Sequence, residues 1–120
     1  MCPPQISFIS SPAHIHATSF LPSNPNRSTK VHSLLFDTLP TPTPPTFKIV
    51  TPTPATRSEI EEAHCHEYIE QLFDGPDKEF KHIELYAKAV AGGSITAAKE
   101  LVQGKCDIAI HWEGGRHHAK

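Results

Sequence analysis

The sequence predicts an α/β fold with parallel strands. Two observations carry that prediction. Short β-rich runs alternate with helical stretches in the order strand, helix, strand, helices, strand. The last apolar run, "CDIAI", follows directly on the longest helical stripe, as a buried parallel strand would. At 120 residues the chain is long enough for one small domain.

The elements read in order as follows. "ISFIS" (Ile6 to Ser10) alternates apolar and polar residues between Pro4 and Pro12, the pattern of a short strand. In "STKVHSLLFDTL", Ser28 can cap a helix, Val31, Leu34 and Leu35 fall at helical spacing, and Pro40 stops it. A Pro/Thr-rich segment spans residues 39–54. Its Thr-Pro repeats exclude helix and favour extended polyproline geometry. It reads as a spacer or as a proline-directed recognition target, and composition favours the spacer. Within it, "FKIV" (Phe47 to Val50) is β-rich and reads as a second strand.

"RSEIEEAHCHEYIEQL" reads as the next helical stretch, with Ser58 and Glu61 at capping-box spacing. Gly75–Pro76 breaks the chain. Phe80, Ile83, Ala87, Val90 and Ala91, continued by Ile95, Ala98, Leu101 and Val102, then form a helical stripe that Gly104 terminates. Gly92–Gly93 inside it cost about 1 kcal/mol each relative to Ala, which implies close approach to another backbone. "CDIAI" (Cys106 to Ile110) is the third strand.

Composition excludes several classes. The net charge is −2, with no basic face for a phosphate backbone, so no direct nucleic-acid contact is expected. No apolar run is long enough to cross a bilayer. No Lys or Arg precedes Arg27, so the basic start of a secretory signal is missing. Cys2, Cys65 and Cys106 are odd in number and form no CxxC, which fits reduced thiols in an intracellular protein. Nine histidines are an excess that calls for a chemical reading.

The strongest candidate is "HWEGGRHHAK", immediately after the third strand. In parallel α/β sheets, sites gather beyond the carboxyl ends of strands. Adjacent imidazoles at His117 and His118 can divide labour: one accepts a proton while the other stays charged beside a developing anion. A frayed tail is the alternative reading of the same residues. His64 and His66 flank Cys65 and do not share a helical face. His14 and His16 would share a face on a strand, but two ligands leave a zinc site incomplete. His32 and His82 read as ordinary surface or half-buried helix residues.

The stretch "WEGGRHHAK" resembles the His-His motif of the zinc-dependent histone deacetylases, class I and its fungal relatives in particular. The flanks resemble that family too. "AVAGGSITAAKELVQGKCDIAI" is similar to the helix and strand before its motif, "EEAHCHEYIEQL" to its helix with a His ahead of an acidic-Tyr pair, "NRSTKVHSLL" to its first-helix segment and "ISFISSP" to its first strand. The segments keep the family's order across almost the whole chain. The resemblance implies the N-terminal part of a three-layer arginase/deacetylase-like fold with a parallel sheet, about the first third of a family domain.

What the resemblance implies for the site is specific. His117 and His118 match the tandem catalytic histidines, Asp74 in "FDGP" matches a rim Asp that binds the substrate backbone, Arg27 matches an Arg lining an internal channel, and Gly115 lies in the Gly-Gly turn of the active-site wall. The family reaction is zinc-dependent hydrolysis of ε-acetyl-lysine on histones or other proteins. Corepressor complexes, a role in chromatin and transcription repression, and a nuclear or cytoplasmic location with the nucleus favoured go with it. The family's zinc ligands, an Asp-x-His pair and a later Asp, and its catalytic Tyr lie downstream of the motif, so no metal ligand is assigned in this chain. Some twenty residues that usually precede the rim Asp are also missing, and Phe73 and Gly75 replace the usual Tyr and Cys. The expectation is a truncated deacetylase portion with negligible turnover alone. A truncated gene model, a splice product or a remnant gene would each explain the stop. The other expectation is a non-catalytic interaction protein that binds a partner, such as a full-length deacetylase, through its exposed sheet edge or its Thr-Pro segment.

Overall fold

The computed structural model describes residues 2–20, 25–75 and 82–114. Phe80, Gly115, His117 and His118 lie outside them. Three strands, β1 (Ile6–Ile9), β2 (Phe47–Val50) and β3 (Ile108–Ile110), form one parallel sheet in the order β2-β1-β3. The α/β expectation with parallel strands therefore holds. Ile6 pairs with Phe47 on one side and Ile108 on the other. Asp107 helps set the second register: its carboxylate accepts from Gln5 N–H at 2.8 Å, and its own N–H donates to Gln5 O at 2.8 Å.

Being central, β1 is the buried strand, with Ser7, Phe8 and Ile9 all inside. The edge strands are not. Ile49 is 52% exposed and Ile108 44%, so "CDIAI" is not the fully buried strand its composition suggests.

Among the described residues there are five helices, α1 (Pro12–Thr18), α2 (Arg27–Thr38), α3 (Arg57–Glu61), α4 (His66–Asp74) and α5 (Ile83–Val102), of which α5 packs on the sheet and carries α3 and α4. Ser11 caps α1 by accepting His14 N–H at 3.0 Å, and Pro12 supplies a pre-set φ at its start. His14 and His16 thus sit on a helix, not a strand. His14 faces inward and His16 outward, as i and i+2 must on a helix. In α2 the N-cap is Asn26, at φ 61°, and Ser28 is buried within the first turn instead of capping it.

The stretch from residue 57 onward is two helices. The capping box is Thr56 with Glu59, two residues earlier than Ser58 with Glu61. Ala55 is buried and its N–H donates to Lys88 O at 2.9 Å, which fixes where the chain can first turn into a helix. The break at residues 62–65 restarts the chain at an extended Cys65, and Ile69 then packs beside Ile60.

α5 packs on two sides. Ala91 and Ile95 join the apolar cluster of Ala55, Ile60 and Ile69, while Ala89, Gly92, Gly93 and Glu100 are buried. The expected stripe is therefore only half buried, and Leu101 and Val102 stand exposed. Gly92 justifies its cost: a Cβ there would collide with Thr53 O and lie 2.6 Å from Ala55 N. Residues 51–54 of the Pro/Thr-rich segment, with Ala55, are consequently a strap on α5, not a free spacer. Thr53 N–H donates to Thr96 Oγ1 at 3.3 Å, and Pro52 is buried.

Candidate functional site

The carboxyl ends of β1 and β3 meet where α1, α2 and α5 converge, and four titratable side chains are gathered there. β1 runs into Ser10, Ser11 and then α1, which turns His14 inward. β3 runs into His111, Trp112, Glu113 and Gly114. Along this last stretch the side chains alternate. His111 and Glu113 turn in, and Trp112, 49% exposed, does not.

His111 is wedged against α5. A Cβ on Gly93 would strike its ring, and one on Gly114 would lie 2.9 Å from its Nδ1. Its Nδ1 pairs with Ser94 Oγ at 3.1 Å and its Nε2 with His14 Nε2 at 3.2 Å. Two facing ring nitrogens can share only one proton, so one ring donates and the other accepts. Burial lowers the His14 pKa from 6.5 to about 4, with the neighbouring His111 adding to it and Glu113 opposing. Burial lowers His111 too, against the pull of Glu113.

Glu113 engages α2. It is 5% exposed, and its Oε1 lies 3.2 Å from His32 Nε2. Since a carboxylate only accepts, Nε2–H is the donor, which leaves Nδ1 to Ser10 Oγ at 3.1 Å. Arg27 Nη1 lies 3.6 Å from Oε2. Burial raises the Glu113 carboxyl, but the His32 and Ser28 hydrogen bonds, with the His32 and Arg27 charges, outweigh it and hold it below its usual value. His32 is therefore no ordinary helix residue. It is 1% exposed, between Ser10 and Glu113, with the Phe8 and Phe36 rings beside it.

The fit to a metal can be tested on this donor set. Among the described residues no group of three or more His, Cys, Asp or Glu side chains could hold a metal ion. The facing Nε2 atoms of His14 and His111 are engaged with each other, and His111 Nδ1 with Ser94, so the pair offers no open set of ligands. The described residues do not form a zinc centre, and no step is derived through one.

The other candidates are placed as follows. Arg27 reaches the cluster through Glu113. Asp74 ends α4 and is 60% exposed in its side chain, with Arg57 Nη2 2.8 Å from Oδ2. That bond lowers its pKa. Gly115, His117 and His118 lie outside the described residues, just beyond Gly114. His14, His111 and Glu113 had no assigned role in the sequence reading. Their only signal was position, in two segments that each follow a strand.

The sequence model of the histone deacetylase domain matches residues 21–120. The chain belongs to the histone deacetylase domain family. Histone deacetylase 8 of Danio rerio is 33% identical over 96% of this chain and 34% of its own length. Histone deacetylase clr6 of Schizosaccharomyces pombe is 35% identical over 82% of this chain and 28% of its own. Histone deacetylase 7 of Arabidopsis thaliana is 50% identical over a shorter stretch, 40% of this chain and 11% of its own. The chain spans about a third of the length of the first two relatives. The parallel sheet with its helices is accordingly part of the arginase/deacetylase fold. Among the described residues no helix is long and apolar enough to cross a membrane.

Proposed function

We propose that this chain is the N-terminal portion of a deacetylase domain and supplies its tandem histidines, His117 and His118, as general base, electrostatic partner and general acid. The reaction class is hydrolysis of the ε-acetyl-lysine amide on a histone or another protein. The observation that supports this most is the family match over residues 21–120, which includes the His-His motif. The contribution of the described residues is positional. His111 fastens the end of β3 to α1 and α5, and Glu113 fastens it to α2, six and four residues before His117. Asp74 and Gly115 are the proposed substrate contacts, and Arg27 the channel residue. Zinc is the family's cofactor; it would supply the activated water and polarise the carbonyl. A nuclear or cytoplasmic location and a corepressor complex belong to the same reading.

The described residues offer no cation site. A histidine pair alone provides general acid–base help, worth about 10²–10⁴-fold, and no activated nucleophile. The 120-residue chain is therefore expected to bind no stoichiometric zinc and to release no measurable acetate from an acetyl-lysine peptide. Metal analysis of the purified chain with an acetate-release assay tests this. Bound zinc at one equivalent with turnover would overturn it.

A second reading is a binding role. The edge strands β2 and β3 have no further strand beside them among the described residues, and Ile49 and Ile108 are half exposed on them. Such an edge accepts another chain by strand pairing. Capture of a full-length deacetylase by the purified chain, lost when Pro replaces Ala109, would favour this reading.

A further inference from the structure

α5 carries a serine at one end of an apolar groove. Ala87, Val90 and Ser94 share a helix face, and with Ile60, Tyr68 and Leu72 of α3 and α4 they line a cavity of about 280 Å³. Ser94 is exposed, so a ligand in the groove can reach it. Its Oγ lies 3.1 Å from His111 Nδ1, and His111 Nε2 lies 3.2 Å from His14 Nε2. The three side chains form one file from solvent inward, with Ser94 exposed, His111 half-buried and His14 buried.

Gly93 holds the file together. A Cβ there would strike the His111 ring, so its missing side chain lets that ring lie against α5 beside Ser94. Burial keeps the His111 pKa below its ordinary 6.5, which leaves an unprotonated base at pH 7. His14 is neutral there as well and can accept the Nε2–H of His111. That tautomer leaves His111 Nδ1 to accept the Ser94 hydroxyl. A nucleophile within hydrogen-bond reach of a base, itself oriented by a third group, is the signature of an activated serine.

We propose that Ser94, His111 and His14 form an acyl-transfer site, with Ser94 as nucleophile, His111 as general base and His14 as positioning residue, and that the groove takes the apolar acyl chain of an ester or thioester. Ser94 Oγ attacks the carbonyl carbon, and its proton passes to His111 Nδ1. The bond from the carbonyl carbon to the leaving oxygen or sulfur breaks, and His111 returns the proton to the departing alcohol or thiol. Water then repeats the sequence on the acyl-serine and releases the acid. The Glu113 charge favours protonated His111 and steadies the imidazolium between the steps. Every step uses side chains within the described residues, so the site stands apart from the proposed deacetylase reaction.

The test is covalent labelling of the full 120-residue chain with a hexyl fluorophosphonate, which forms an Oγ–P bond on an activated serine and releases fluoride. Peptide mapping by mass spectrometry locates the label. The expected result is modification of Ser94, with Ser58, also exposed, left unlabelled. Gly93→Ala keeps all three side chains but displaces His111, and should slow labelling by about 10²-fold or more, the share of a general base. His14→Phe should slow the rate at saturating probe without changing the probe concentration that gives half of it. His14→Gln, which keeps an acceptor, should recover part of that rate. A methyl fluorophosphonate, which leaves the groove empty, should need a higher concentration than the hexyl probe. No label on Ser94, a label shared evenly with Ser58 or carried by the exposed Cys65 alone, or labelling of Gly93→Ala at the wild-type rate would overturn the proposal. Equal slowing by His14→Phe and His14→Gln, or equal demand for the two probes, would overturn it too. The wild-type map needs no variant, so the proposal can fail even where a variant does not fold.

Discussion

Two buried regions of this chain are built on opposite principles. One is the cluster between α3, α4 and α5, where Ala55, Ile60 and Ile69 pack with Phe73, Ala91 and Ile95. The other is the strand-end cluster, where His14, His32, Glu113, Ser10 and Ser28 are as deeply buried but are all polar. The first holds by removing apolar surface from water, a contribution that is non-directional and indifferent to pH. The second holds only because its groups are paired, since an unpaired polar group or charge at such depth would cost more than the site gains. Each kind of buried contact has its own place in the chain. Helices that only need covering are packed with hydrocarbon. The segment leading to the tandem histidines is fixed by hydrogen bonds with defined partners and directions.

The largest effect should come from splitting the polar cluster. His32→Ala leaves Glu113 buried without its imidazole, and unfolding in urea should show a loss of about 4 kcal/mol at pH 7. That loss should shrink in acid, once Glu113 is protonated in the variant. Ile69→Ala removes a fully buried side chain from the apolar cluster and should cost about 3 kcal/mol. Its cost should be the same at pH 7 and pH 5. If the two variants show the same pH dependence, the contrast between the regions is lost.

Acid should act on the wild-type chain through the polar cluster, with Glu59, Asp74 and Glu100, whose carboxyls are also lowered, adding losses of the same sign. The His14 pKa is lowered on folding, so between 6.5 and about 4 the unfolded chain binds more protons than the folded one. Stability from this source is full above pH 6.5 and is lost as pH falls toward 4. The loss should reach about 2 kcal/mol, allowing for partial solvent access. Glu113, also lowered, adds a second loss of the same sign below about its ordinary value of 4.5. His14→Phe should flatten the first part of the curve and leave the second. The smallest effect belongs to the surface. Asp74→Asn removes the exposed bond to Arg57 and should barely move the unfolding midpoint.

Much of the apolar framework was legible from residue order. The strands at 6–9 and 47–50 are short β-rich runs with prolines close by, and the helix ending at Val102 is followed by Gly104 at φ 69°. Gly92 was legible as a close approach, and the structure shows the partner to be the 51–55 strap. The capping box was misplaced because "TRSEIEE" contains two motifs of equal spacing, and only the tether at Ala55 selects the first. The helix break at residues 62–65 carries no Gly or Pro, so nothing local announced it. The polar cluster was the least legible part. His14 and His111 are 97 residues apart in sequence and His32 and Glu113 are 81 apart, so only the parallel register of β1 and β3 brings them together.

The account rests most directly on the paired imidazoles at the strand ends. Long-range ¹H–¹⁵N NMR of the histidine rings, followed from pH 7.5 to 3.5, reads them individually. The predicted result is a His14 ring that stays neutral at pH 6 and titrates near pH 4, with the His111 ring titrating below its ordinary 6.5. A His14 ring that protonates near its ordinary 6.5 would show that the two nitrogens do not share a proton, and the fastening of β3 to α1 would be contradicted.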